Sequence, residues 1–237
     1  MYKKGLFIVF EGIEGSGKSY QAKILYRKLR KYKKSVILTR EPGGTKGAEV
    51  IRKIILKDYF EKNKKIKFDK FTDTLLYLAA RNEHVKNKII PAIRKKKIII
   101  CDRFIDSTLA YQVYGKKVPF NFINNIHKQI LGKIKPDLTF VLKVKKNSFL
   151  KRLKKRKTRN RYDNFPVKFY IKAQKDFLKI SKNKKNYVVL DSSENTSKLQ
   201  NKIFQIIKNF KSGIVVFSDF RHGIFNKESI PSYIKGL

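Results

Sequence analysis

The sequence predicts an α/β fold: a five-stranded parallel sheet with helices on both faces. Three observations predict it. Short apolar runs of strand length alternate with longer amphipathic stretches of helical period. A glycine-rich turn, "GIEGSGKS" (12–19), joins the first apolar run to the first amphipathic stretch. Polar clusters follow other runs, as expected where strands of an open parallel sheet end at a ligand crevice.

Taken in order, "LFIVFE" (6–11) reads as a buried strand. A helix follows over 18–32, with Ala22, Leu25 and Leu29 at helical spacing. "SVILTR" (35–40) is the second strand, and "EPGGTKG" (41–47) is a turn-rich loop. Residues 48–57 and the stretch from Phe71 past Ala80 read as helices; Pro91 fits near a helix start or at a kink. "KIIICD" (97–102) is the third strand, with helices near 105–114 and 120–131. "LTFVLKV" (138–144) and "YVVLD" (187–191) complete the sheet. Helical patterns lie between them and again over 198–210, and "GIVVF" in the tail is a candidate edge strand. Alternating strands and helices argue for parallel pairing with both faces covered.

Composition narrows the class. The chain has 237 residues, enough for one main domain with a full core, and 41% are hydrophobic, which excludes a disordered chain. Net charge is +40 and runs through nearly every segment. An anionic partner or a Lys-rich surface acting by general anion steering both account for it, and nucleic-acid sites usually concentrate charge on one face. One cysteine, Cys101, excludes an intrachain disulfide and reads as a buried structural thiol. His84, His127 and His222 show no metal-ligand spacing. No apolar stretch reaches the ~18 residues of a membrane span. The apolar core of "MYKKGLFIVFEG" is too short for a signal peptide. A cytoplasmic enzyme is expected, with no membrane partner.

Candidate chemistry sits at the strand ends. "GIEGSGKS" matches G-x-x-x-x-G-K-[ST] between a strand and a helix. Such a loop turns backbone N–H groups around phosphate oxygens. Lys18 would bridge the outer phosphates and Ser19 would reach Mg²⁺. Glu14, a carboxylate inside an anion loop, is the anomaly. In "TREPGGT" (39–45), Arg40 can hold an anion bidentately or form a surface ion pair. In "CDRFIDSTLAYQ" (101–112), Asp102 can orient Mg²⁺ and Arg103 can bind a substrate phosphate, or the two can pair and cap the next helix. The basic tract 151–161 reads as a nucleic-acid site, a lid closing over ATP, or a solvated helix.

"FEGIEGSGKS", "TREPGGT", "LYLAARNEHV", "DRFIDSTLAYQ" and "KPDLTFVL" occur in an order that resembles the bacterial thymidylate kinases, over roughly residues 6–210. The resemblance implies a P-loop nucleotide kinase fold over 1–210, with a short basic lid at about 151–163. The extension 211–237 has no assigned role. It implies ATP- and Mg²⁺-dependent phosphorylation of dTMP to dTDP in deoxynucleotide (dTTP) biosynthesis, in a homodimer with no specific nucleic-acid partner. By resemblance, Gly12, Ile13, Glu14, Gly15, Ser16, Gly17, Lys18 and Ser19 bind ATP, and Ser19 and Asp102 serve the metal. Glu14 then faces the acceptor nucleotide. Tyr77 stacks on thymine and Arg81, four residues on, reads its O4. Arg103 holds the acceptor phosphate with support from Arg40, Thr108 and Gln112 contact the base, and Tyr111 crowds the sugar 2′ position. Lys18 and Arg103 act in catalysis. Gly15 stands where some relatives carry a catalytic arginine, so the lid supplies it, with Arg156 and Arg161 the best matches beside Arg152 and Arg159. "NRYD" departs from the family's "DR-x-E" at Asn160 and Asp163. The alternatives are a kinase for another deoxynucleoside monophosphate and a nucleic-acid-binding P-loop ATPase.

Overall fold

The computed structural model describes residues 5–57, 68–155, 165–193 and 196–211. Strands β1 (Leu6–Glu11), β2 (Val36–Arg40), β3 (Ile98–Asp102), β4 (Leu138–Lys143) and β5 (Tyr187–Asp191) form one sheet in the order β2-β3-β1-β4-β5. All pairings are parallel. The expected five-stranded parallel architecture is therefore present.

Period-two alternation divides the strand side chains between two cores. Leu6, Ile8 and Phe10 of β1 join Ile98, Ile100, Leu138, Phe140 and Leu142 on one face. Helices α1 (Lys18–Lys31) and, late in the chain, α9 (Thr196–Lys211) cover it with Ala22, Leu25, Leu29, Leu199, Ile203 and Ile207. Phe10 and Phe140 stack at 5.2 Å at its centre. On the other face Phe7, Val9, Ile99 and Cys101 meet Val85, Ile89, Ala92, Phe104 and Leu131. Cys101 is the buried thiol expected, its pKa pushed well up by burial.

Between β2 and β3 run α2 (Lys46–Leu56), α3 (Lys70–His84) and α4 (Ile90–Arg94). Helix α2 starts at Lys46 rather than at residue 48 because Thr45 caps it, its Oγ1 accepting from Ala48 N at 3.2 Å. Five π-helical residues, Val85–Ile89, join α3 to α4, where Pro91 supplies no backbone donor to continue an α ladder. After β3, α5 (Ile105–Thr108) widens into π-helical Leu109–Gly115 before α6 (Phe120–Leu131). Helices α7 (Lys146–Lys154) and α8 (Val167–Ser181) join β4 to β5. The segment "GIVVF" and most of the extension lie outside the described residues.

Strand β1 hands the chain to α1 on one face, while its neighbour β3 hands it to helices on the other. The two connections diverge and open a crevice at the carboxyl ends of β1 and β3. Truncating the stacked pair at its centre, Phe140→Ala, is expected to cost about 3–5 kcal/mol of stability. Denaturant unfolding monitored by circular dichroism measures it.

Candidate active site

The crevice holds a cavity of about 170 Å³ whose wall includes Glu14, Lys18, Ser19, Asp102 and Arg103. Glu14, Lys18 and Ser19 bring the glycine turn into that wall. Gly12, at φ 135, lies so close to β4 that a Cβ would sit 2.5 Å from the Leu142 carbonyl oxygen. Gly17, at φ 86, is the left-handed residue from which α1 begins. Lys18 Nζ bends back over the turn and donates to the Ile13 carbonyl at 2.6 Å and towards Ser16 Oγ at 3.4 Å. Burial, with Arg103 nearby, brings the Lys18 pKa down to about 7. Ser19 Oγ donates to Asp102 Oδ2, and Asp102 Oδ1 is buried without a hydrogen-bond partner among the described residues. A hydroxyl and a carboxylate with an unused oxygen form an oxygen donor set suited to a hard divalent cation.

The Glu14 carboxylate is neutralised from across the crevice. Arg103 Nη2 donates to its Oε1 at 2.8 Å and the Tyr111 hydroxyl to its Oε2 at 2.7 Å. Burial alone would raise the Glu14 pKa, but Arg103 and then Lys18 outweigh it, so the carboxyl titrates below its ordinary range. Arg103 Nη1 also reaches the Gly12 carbonyl at 3.0 Å and Ser107 Oγ at 2.9 Å. Its backbone holds a left-handed φ of 72, rare for a residue with a Cβ. Arg103 therefore pairs with Glu14 across the crevice, while Asp102 faces Ser19; the two neighbours do not pair with each other.

The same cavity continues past Thr108, Tyr111 and Gln112 to Tyr77 and Arg81 on α3, with Arg40, Arg52 and Leu56 also in its wall. Gln112 Nε2 is buried without a partner among the described residues. Arg81 is held on every nitrogen. Nε and Nη2 lie 2.8 and 2.7 Å from Glu41 Oε2, Nη2 also donates to the Phe104 carbonyl at 2.9 Å, and Nη1 reaches Thr108 Oγ1 at 2.9 Å and His127 Nε2 at 2.5 Å.

Glu14, Lys18 and Ser19 of the glycine turn and Tyr77 and Arg81 of α3 thus line a single cavity. The sequence model described as thymidylate kinase matches residues 10–203. The chain belongs to the thymidylate kinase family. It is 39% identical over 214 residues to the thymidylate kinase of Wolbachia pipientis subsp. Culex pipiens (strain wPip), covering 88% of this chain and 98% of the relative. To that of Wolbachia sp. subsp. Brugia malayi (strain TRS) it is 45% identical over 181 residues, covering 75% and 82%. The crystal structure of thymidylate kinase from Ehrlichia chaffeensis superposes with a TM-score of 0.68 at 30% identity, covering 86% of this chain and 99% of that one.

Within this thymidylate kinase fold the remaining predicted residues fall in different places. Arg40 carries its guanidinium to the rim, about half exposed, where Nη2 pairs with Glu49 at 3.0 Å. Arg156 and Arg161 lie outside the described residues, as does Arg159. Arg152 of α7 turns back to the glycine turn, with Nη1 3.2 Å from the Gly15 carbonyl and Nη2 2.6 Å from that of Ser192. Sequence reasoning missed Glu11, Glu41, Arg52, His84 and His127. Glu11 ends β1 fully buried and accepts from Phe104 N, Ser107 N and Ser107 Oγ, fixing the start of α5; burial, then Asp106, pushes its pKa up to about 7. Glu41 Oε1 binds His84 Nδ1 at 2.9 Å, and His84 Nε2 meets Thr39 Oγ1 at 2.6 Å. Arg52 donates to the Pro42 carbonyl at 2.6 Å. The one legible signal was the acid in "TREPGGT", directly after a strand end.

Glu41 is the sole carboxylate contacting both Arg81 and His84 among the described residues. Glu41→Ala is expected to destabilise the protein by about 3–5 kcal/mol, because it strands a buried guanidinium. Urea unfolding at neutral pH checks this.

Proposed function

We propose that this chain transfers the γ-phosphoryl group of ATP to dTMP, forming dTDP and ADP. One observation carries the reading: the glycine turn with Lys18 and the pocket of Tyr77, Arg81, Thr108 and Gln112 open into one cavity, with the Glu14–Arg103 pair between them. Donor and acceptor phosphates would meet at that pair.

A phosphate oxygen of dTMP attacks the γ-phosphorus; the bond from that phosphorus to the β,γ-bridging oxygen breaks and ADP leaves. The second pKa of a phosphate monoester is about 6, so the nucleophile is already ionised at neutral pH and no general base is needed. Glu14 is ionised and paired, which suits an orienting role. Its carboxylate keeps Arg103 stretched towards the acceptor phosphate, and its free lone pairs can accept from the deoxyribose 3′-hydroxyl. Lys18 and the turn's N–H groups hold the donor phosphates. Arg81, Thr108 and Gln112 face the base beneath Tyr77, and Tyr111 sets the space beside the sugar.

Ser19 and Asp102 would hold Mg²⁺, which supplies positive charge to the donor phosphates when bound. The orphaned Asp102 oxygen supports that assignment. The lid, about 151–163, would bring Arg156 and Arg161 over the donor and exclude water. A homodimer is part of this reading, with Val50 on α2 and Leu75 on α3, exposed apolar side chains on two packed helices, as candidate contacts. No described helix is long and apolar enough to cross a membrane.

Purified protein mixed with Mg²⁺-ATP and dTMP should yield dTDP, resolved by ion-pair chromatography. Lys18→Ala should lower the rate by at least ~100-fold, and near-normal turnover would refute the assignment of Lys18. A second outcome follows from its lowered pKa. At pH 8 a lysine with a pKa of about 7 is mostly neutral. Donor phosphates favour its charged form, so ATP binding at pH 8 should take up as much as ~1 proton. Titration calorimetry in buffers of differing ionisation enthalpy measures the uptake, and Lys18→Ala should abolish it.

A further inference from the structure

We infer that His127 is a positioning residue for pyrimidine selection: it pins Arg81 so that the cavity offers hydrogen-bond donors to a base carbonyl. The inference rests on the function proposed above and deepens it. His127 lies on α6, 46 residues from Arg81 in sequence, and its ring is buried. Its Nε2 is 2.5 Å from Arg81 Nη1. A guanidinium has only donors, so this imidazole nitrogen must present a lone pair, which fixes a neutral ring with its proton on Nδ1. Burial, then Arg81, brings the His127 pKa down to about 3, so the lone pair persists through the physiological range.

The geometry gives that lone pair a purpose. Arg81 Nη1 carries two protons. One goes to Thr108 Oγ1, which lines the cavity; the other goes to His127, which does not line it. By accepting the rear proton, His127 holds the front proton on Thr108. The Thr108 hydroxyl, accepting from Arg81, keeps its own O–H free to donate. The Gln112 amide Nε2, buried without a partner among the described residues, adds a further donor in the same wall. A wall of donors matches a 4-oxo pyrimidine and opposes the 4-amino group of cytosine, because an unmatched buried donor pair is costly. Glu41 fixes the opposite edge of the guanidinium, so without His127 the Nη1 edge loses its rear anchor.

The test compares dTMP and dCMP binding by calorimetry in the full chain for wild type, His127→Ala, His127→Leu and His127→Gln, with Arg81→Ala as reference. Loss of the acceptor in the Ala and Leu variants should weaken dTMP about tenfold and narrow the dTMP/dCMP ratio, with ATP affinity unchanged. Gln, whose Oε1 can accept in place of Nε2, should restore most of both. The Leu and Gln variants keep the volume filled, so they test the idea even if His127→Ala fails to fold. Wild-type dTMP/dCMP discrimination in His127→Leu overturns the inference. So does a fall in Tm with the ratio unchanged, which marks a structural role only. If Arg81→Ala also binds dTMP normally, the base-reading part of the proposed function fails with it. If Arg81→Ala loses dTMP while His127→Leu keeps it, only the His127 inference fails.

Discussion

The ion pair between Glu14 and Arg103 is the constraint on which the site depends. It joins the turn after β1 to the turn after β3, the two connections whose divergence opens the crevice. Each partner alone would be costly: an unpaired carboxylate in an anion loop, or an unpaired, partly buried guanidinium. Tyr111 donates to the same carboxylate, and the Gly12 carbonyl and Ser107 hold the guanidinium. The carboxylate that looked misplaced in a phosphate loop is thus the counterion that lets an arginine be held beside it. Arg103 can adopt its left-handed backbone because its amide donates to the Phe10 carbonyl at 2.9 Å and its side chain is gripped at three points.

A second anchored cation repeats the logic deeper in the wall. Arg81 is surrounded by Glu41, the Phe104 carbonyl, Thr108 and His127. Glu41 is itself held by His84, whose other nitrogen meets Thr39 at the end of β2. The chain of contacts runs from the sheet edge through α3 to α5 and α6. It holds this wall of the cavity in place before any ligand arrives, and a wall fixed in advance lowers the ordering cost of binding. Lys18 differs: burial, then Arg103, lowers its pKa towards neutrality, so an anion beside it would favour its charged form.

The fold was legible because its signals are local. A strand buried on both faces reads as a continuous apolar run, as β1 does, and β1, β5 and α6 all have the bounds their patterns indicate. The site residues named by type and loop position, Lys18, Ser19, Asp102 and Arg103, meet in one crevice for the same reason, since strand ends of a parallel sheet converge there. What stayed hidden depends on partners far apart in sequence. No helical spacing links His127 to Arg81, or Glu41 to His84, and a lone histidine on an amphipathic helix carries no local mark of its neighbour. The π-helical stretches were equally silent, since their apolar pattern differs little from that of an α-helix over so few residues.

The large positive charge reads differently once burial is known. Among the described residues only Lys18 and Arg81 of the lysines and arginines are buried, while Glu11, Glu14, Glu41, Asp73 and Asp106 are. These buried acids include the ones that orient cations and fix a helix start, and nearly all the described basic residues stay outside the core. The basic residues occur on α1, α7 and α8 alike, on both sides of the sheet. A charge so distributed raises the local concentration of polyanionic nucleotides without choosing among them, and salt screens it. The interior is ordered differently: there a carboxylate holds each arginine, Glu14 for Arg103 and Glu41 for Arg81, with His127 also on Arg81.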